Sequence, residues 1–243
     1  MILRTAFLAF CSGQISKKSL ELLVFVLILV FYAFMAIAAM LYPNGYDFIT
    51  MSISALGDPD KNPFPGWIFF SLAVCWIAVS TLPYYLHVFK QLKQYDGIIA
   101  RFILVFCLVS SAGLFLLGCF SEREVTAIMH YIAAGMSFGG FFLAAIFWWI
   151  VIGKYLKMTN QWGKTRAMFI FIVMMTTLLG SIVGLASSQI LLASDGFNDA
   201  SAWFLNFGFW EWTSVTAINF QLLLLAFIIP ANIAAPVKNE KKI

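Results

Sequence analysis

Charge is what this chain has least of. Of its 243 residues only 11% are Asp, Glu, Lys or Arg, 62% are hydrophobic, and the mean hydropathy is +0.92. An ordinary soluble domain carries roughly twice that share of charge, so a water-covered surface is excluded. Cysteine is scarce as well. Cys11, Cys75, Cys107 and Cys119 form no CxxC pair, and no Cys/His cluster has metal-ligand spacing. Neither a metal site nor a disulfide framework is expected. Cys75 and Cys107 lie inside apolar runs and read as small core residues, and Cys119 has no evident partner. The HExxH signature is absent, and nothing points to a cofactor. The net charge of +4 is scattered over short loops, which excludes a nucleic-acid partner.

What the chain does have is long apolar runs. Six are visible, at about 22–42, 66–89, 99–120, 127–153, 167–193 and 209–234. Each is long enough to cross a bilayer, and a backbone in lipid must satisfy its own hydrogen bonds. The expected fold is all-α: a polytopic membrane protein with six transmembrane helices in one compact bundle spanning 22–235. Short connections make sequential spans antiparallel neighbours. Residues 1–21 hold an apolar patch too short for a signal peptide and read as a retained cytoplasmic segment, with 236–243 as a cytoplasmic tail.

Orientation follows from Lys and Arg. Thirteen of the 15 fall in the N-terminal segment, the second and fourth connections and the tail, which places both termini in the cytoplasm. The outer connections keep only Lys61 and Arg123. Acids sort the other way: Asp47, Asp58, Asp60, Glu122, Glu124, Asp195, Asp199 and Glu211 all lie outside or at the outer edge. Solvated loops account for this, as does an outer site for a cation or a polar headgroup.

The first outer connection, 43–65, contains "SISALGDPD". Pro43, Asn44 and Gly45 end span one, and Gly57–Asp58–Pro59–Asp60 is a turn signal. The semi-apolar stretch between them is expected to form a short interfacial helix over the outer mouth. Span four is rich in small residues, with Gly135/Gly139 and Gly140/Ala144 four apart, and span five has Gly180/Gly184. This spacing predicts close packing of spans four and five, or association of two copies through those faces. Pro83 and Pro230 are expected to kink their helices. Trp148, Trp149 and Tyr155 read as interfacial anchors on the inner side, and Trp67, Trp203, Trp210 and Trp212 as their outer counterparts.

Ionisable side chains inside a span are costly and face a partner or a cavity. His130 lies about one turn inside span four and Glu211 at the start of span six, so the two share a depth. A His130–Glu211 hydrogen bond is expected, either as a clamp between the spans or as the centre of a site. Asn219, eight residues after Glu211, shares its face. Ser214, Asn219 and Gln221 with Ser181 and Ser188 suggest a polar seam between spans five and six. Ser54 and Asp58 complete a candidate lipid-headgroup pocket with His130 and Glu211. The alternative is a lipid hydrolase or acyltransferase, with Ser54 or Ser52 as nucleophile, His130 as base and Asp47, Asp58 or Glu211 as orienting acid, or with His130, Glu211 and Asp58 around a metal. A small transporter is the third reading, and it lacks a charge at the bilayer midplane.

Taken together, "SISALGDPD", "GLFLLGCFSEREVTAIMHYIAAGMSFGGFF" and "FWEWTS" resemble the DRAM/Frag/Sfk superfamily of six-span membrane proteins and its prokaryotic domain-of-unknown-function 998 relatives. The resemblance runs over residues 22–235. Ser54 and Gly57 match its first-loop pattern, His130 its span-four histidine, and Glu211 with Trp212 its last-span pair. It implies a lipid-facing role on the non-cytoplasmic leaflet, with membrane lipids as partners.

Overall fold

The computed structural model describes residues 16–121, 123, 126–160, 165–193 and 206–228. Among them the chain is helical and without strands. The elements are α1 (Lys17–Met40), a 3₁₀ turn (Ile53–Gly57), α2 (Gly66–Ser80), α3 (Leu82–Leu92), α4 (Gly97–Cys119), α5 (Ala127–Ala134), a π turn (Gly135–Gly139), α6 (Gly140–Met158), α7 (Thr165–Ala193) and α8 (Phe207–Ile228). With α2–α3 and α5–α6 each taken as one run, six are long and apolar enough to cross a membrane. Pro230, Trp203, Cys11, Glu122, Glu124, Asp195 and Asp199 lie outside the described residues.

Local chemistry sets the helix ends. Ser16 Oγ accepts from the Ser19 amide at 3.2 Å and opens α1. Asp96 Oδ1 accepts from the Ile99 amide at 3.0 Å and opens α4. Pro83 has no N–H to continue a helix, so the second span breaks at Thr81 and restarts with the proline in its first turn. The Thr81 hydroxyl donates to Ile77 O at 2.8 Å across the break.

The helices form a ring in which α7 packs on α8, α8 on α1, α1 on α2, α2 on α4, and α4 on α5 and α6. The closing seam, α6 against α7, is slight. This corrects the expected pairing of spans four and five. The small residues of the fourth span meet α4 instead. A Cβ on Gly140 would lie 2.9 Å from Phe106 O, and one on Gly113 of α4 would lie 2.4 Å from the Ser137 amide nitrogen. The Ser110 hydroxyl donates to Ser137 O at 2.8 Å in this seam. The π turn is wider than an α turn and changes the helical phase between α5 and α6, which alters which small residues share a face. Gly184 packs against the Trp210 indole of α8, and Gly135, Gly139 and Gly180 face open space.

Two ends of the ring can be distinguished. The basic end holds the α3–α4 and α6–α7 connections, where Lys154 Nζ lies 2.5 Å from Asp96 Oδ2. The loop end holds 43–65. Near the basic end the interior is filled by Tyr84, Tyr85, Trp148, Ile152 and Leu156. Trp148, Trp149 and Tyr155 are therefore core residues and not interfacial anchors: Trp148 is 0% exposed and the other two 8%. Large rings are what fill the middle of a six-helix ring.

Candidate functional site

The loop end is closed by its own connection. In place of the expected interfacial helix there is a single 3₁₀ turn, Ile53–Gly57, with all five residues buried. Three ties hold it. The Ile53 amide donates to Glu211 Oε2 at 2.7 Å, so a carboxylate from the last span caps the turn. Asn62 Nδ2 donates to Leu56 O at 2.9 Å and to Ala38 O at 3.1 Å, joining the turn to the end of α1. The Tyr46 hydroxyl donates to Ser52 O at 2.8 Å and accepts from Trp212 Nε1 at 2.9 Å. Burial pushes the Tyr46 pKa well above the usual tyrosine range, so it remains a donor at any physiological pH. The chain passes so close to α8 that a Cβ on Gly208 would lie 2.3 Å from Met51 O.

Beneath this plug lies a cavity of about 80 Å³. Its polar lining at the loop end is Ser54, His130 and Glu211, brought by the 3₁₀ turn, α5 and α8. Along α8 it runs from Glu211 past Val215 and Asn219 to Leu222, about 16 Å of helix. Its walls include Phe31, Phe70, Phe138 and Phe141, with Ser110 and Ser137 at the α4 seam. Ser54, His130 and Glu211 are each at most 9% exposed.

The histidine is held differently from the expectation. Its Nδ1 lies 2.9 Å from Phe120 O, the residue that ends α4, and not on Glu211. A carbonyl can only accept, so Nδ1 carries a proton and, in the neutral ring, Nε2 is left as an acceptor. His130 and Glu211 thus line one cavity while each is anchored to a separate backbone group. A ligand between them would meet a nitrogen acceptor, a carboxylate and a serine hydroxyl.

The remaining candidates sit apart. Asp58 is buried but does not line the cavity. Its Oδ1 accepts from the Asp60 amide at 3.0 Å and its Oδ2 lies 3.5 Å from Lys61 Nζ, so its carboxylate shapes the turn. Ser52 lies outside the lining too, and the Ser54 hydroxyl donates to Ser52 Oγ at 2.9 Å. Asn219 lines the cavity with Glu211, as their eight-residue spacing implies, and its Nδ2 lies 3.4 Å from the Tyr32 hydroxyl. The seam between spans five and six is interhelical bonding: the Ser214 hydroxyl donates to Ser181 O at 3.4 Å, and Gln221 Nε2 donates to Met174 O. Asn62 and Tyr46 were not singled out from sequence. Their partners lie up to 166 residues away, and no local pattern encodes them. The turn signal at 57–60 was the nearest clue to Asn62.

A family model described as "Protein of unknown function (DUF998)" matches residues 25–228, from the first turns of α1 to the end of α8. Searches of the curated proteins and of the solved structures return no match.

Proposed function

This chain belongs to the DUF998 family of unknown function, and from the pocket its fold encloses we propose that it handles lipid, binding a phospholipid or glycolipid headgroup at the loop end. The observation that carries this reading is a cavity that combines a cluster of polar side chains with largely apolar walls. Ser54, His130 and Glu211 converge at its loop end from three separate segments, Ser110, Ser137 and Asn219 line it further along, and phenylalanines and other apolar side chains make up most of the wall. An amphipathic molecule is the chemical match to that mixture. Asp58 supports the pocket indirectly, by holding the turn that presents Ser54. We place the loop end on the non-cytoplasmic face, because 13 of the 15 basic residues lie in the other connections and the termini. The related reading as a member of the DRAM/Frag/Sfk superfamily rests on Ser54, Gly57, His130, Glu211 and Trp212 within their three stretches.

The test is native mass spectrometry of the protein in mild detergent, wild type beside the His130→Ala/Glu211→Gln double variant. Wild type should retain a lipid of one headgroup class, and the double variant should lose it. Equal retention by a folded double variant would overturn the pocket.

A hydrolase with Ser54 as nucleophile is the weaker reading. Its hydroxyl proton is directed at Ser52, a poor base, and not at His130. Lipid turnover that disappears in Ser54→Ala would reverse that ranking.

A further inference from the structure

The sequence gives no reason to pair the cysteines, yet the fold brings two of them together. Cys75 is on α2 and Cys119 is the last residue of α4. Cys119 directly follows Gly118, whose backbone packs against Cys75 Sγ, and the two thiols are near enough to interact. The helices are in tight contact here: a Cβ on Gly118 would lie 2.5 Å from Cys75 Sγ, and that sulfur is 3.9 Å from Phe115 O. Cys119 is exposed and Cys75 half-buried, whereas Cys107 is fully buried elsewhere in α4. The position is also pointed. The residue after Cys119 is Phe120, whose carbonyl holds His130 Nδ1. The residues before Cys75 and Gly118, Val74 and Leu117, line the cavity wall.

We propose that Cys75 and Cys119 are a reversible dithiol–disulfide pair that fastens the end of α4 to α2 and with it the backbone anchor of His130. The oxidant is a low-molecular-weight disulfide such as oxidised glutathione. The Cys119 thiolate, the accessible one, attacks a sulfur of that disulfide. The S–S bond breaks, and one glutathione thiolate leaves and takes up the proton that Cys119 lost. Cys75 then gives up its proton and attacks the Cys119 sulfur of the mixed disulfide, and the second glutathione leaves with that proton. Two protein thiols are oxidised to one disulfide while one glutathione disulfide is reduced to two thiols. The loop end faces a compartment where such a bond persists if the orientation proposed above holds. The chemistry itself does not depend on what the pocket binds.

The experiment uses the full chain in detergent micelles, treated with oxidised glutathione, blocked with an alkylating agent and read by intact mass and peptide mapping. The expected result is a loss of two hydrogens, a cross-linked Cys75–Cys119 peptide, loss of alkylation at both positions, and full reversal by dithiothreitol. Cys119→Ser should abolish the product and Cys107→Ser should leave it unchanged. Glutathione remaining on Cys119 without a cross-link, or a cross-link to Cys107 or Cys11, would overturn the pairing. Hydrogen exchange on the oxidised and reduced wild type tests the second half. The Phe120 and His130 amides should exchange more slowly when the bond is closed, and unchanged exchange in a cross-linked sample would overturn the coupling to His130.

Discussion

At the basic end of the ring, Tyr84, Tyr85, Trp148 and Leu156 are buried together in one apolar cluster. At the loop end the same helices surround a cavity, and a buried turn of the first connection closes the top. Side chains differ between the two ends. The filled end uses aromatic rings on α3 and α6. The hollow end is lined by Ser54, Ser110, Ser137 and His130 among its polar side chains. Small and polar side chains do not fill a ring of six helices, and the ties that hold the hollow end are hydrogen bonds to backbone. That polar lining is what the proposed headgroup pocket rests on.

Emptying the filled end should have the largest effect. Trp148→Ala is expected to cost about 3–5 kcal/mol, because a fully buried indole leaves a cavity that its neighbours cannot collapse into. Thermal or denaturant unfolding in detergent measures it. A loss below about 1 kcal/mol would mean that the two ends are not packed differently.

Cutting a tie at the hollow end comes next. Glu211→Ala strands the Ile53 amide without its acceptor and should cost about 1–3 kcal/mol. Glu211→Gln retains an oxygen that can accept, so most of that stability should return while the negative charge does not. If the two variants unfold alike, the charge and not the hydrogen bond holds the turn. A third change fills the hollow end. Val215 lines the cavity beside Glu211, and Val215→Leu adds one methylene into space already present. Its stability should change by less than about 1 kcal/mol in either direction, whereas overpacking a full core costs about 1–3 kcal/mol. Retained lipid should fall, since the added volume competes with the ligand.

How much of this was legible in the sequence differs between the ends. The six spans were readable because the cost of an unsatisfied backbone in lipid leaves few options for long apolar runs. The interruption at Pro83 is a local signal and was equally open. Ser54, His130 and Glu211 stood out because polar groups at the edge of apolar spans are rare. Their mutual geometry was not readable. His130 had two acceptors of similar depth on offer, the Glu211 carboxylate and the Phe120 carbonyl, and only the packed helices decide between them. The small residues of the fourth span misled for a related reason. GxxxG spacing marks a face that permits close approach but does not name the neighbour, and the π turn shifts the phase of that face. Trp148 and Trp149 misled because an aromatic at a span end serves equally as an anchor or as core.

The smallest effect compares a carboxylate from each end. Asp96 is held below its ordinary 3.8 first by the Ile99 amide and then by Lys154, and Asp47 is held down by the Ile49 amide and the Thr50 hydroxyl, with no cation in its bonds. Both folded values lie below the unfolded ones. Each contribution is therefore fully present above the ordinary value and is lost as the pH falls through the folded value. Asp96→Asn and Asp47→Asn both keep a side-chain oxygen for the backbone amide, so the variants should differ from wild type at neutral pH and converge with it in acid. Salt separates the two. The Asp96–Lys154 pair is solvent-accessible and is screened, so added salt should shrink the Asp96→Asn difference and leave the Asp47→Asn difference in place. Equal salt sensitivity at both positions would mean that the ion pair contributes nothing at the basic end, and that backbone capping alone orders the connections at both ends of the ring.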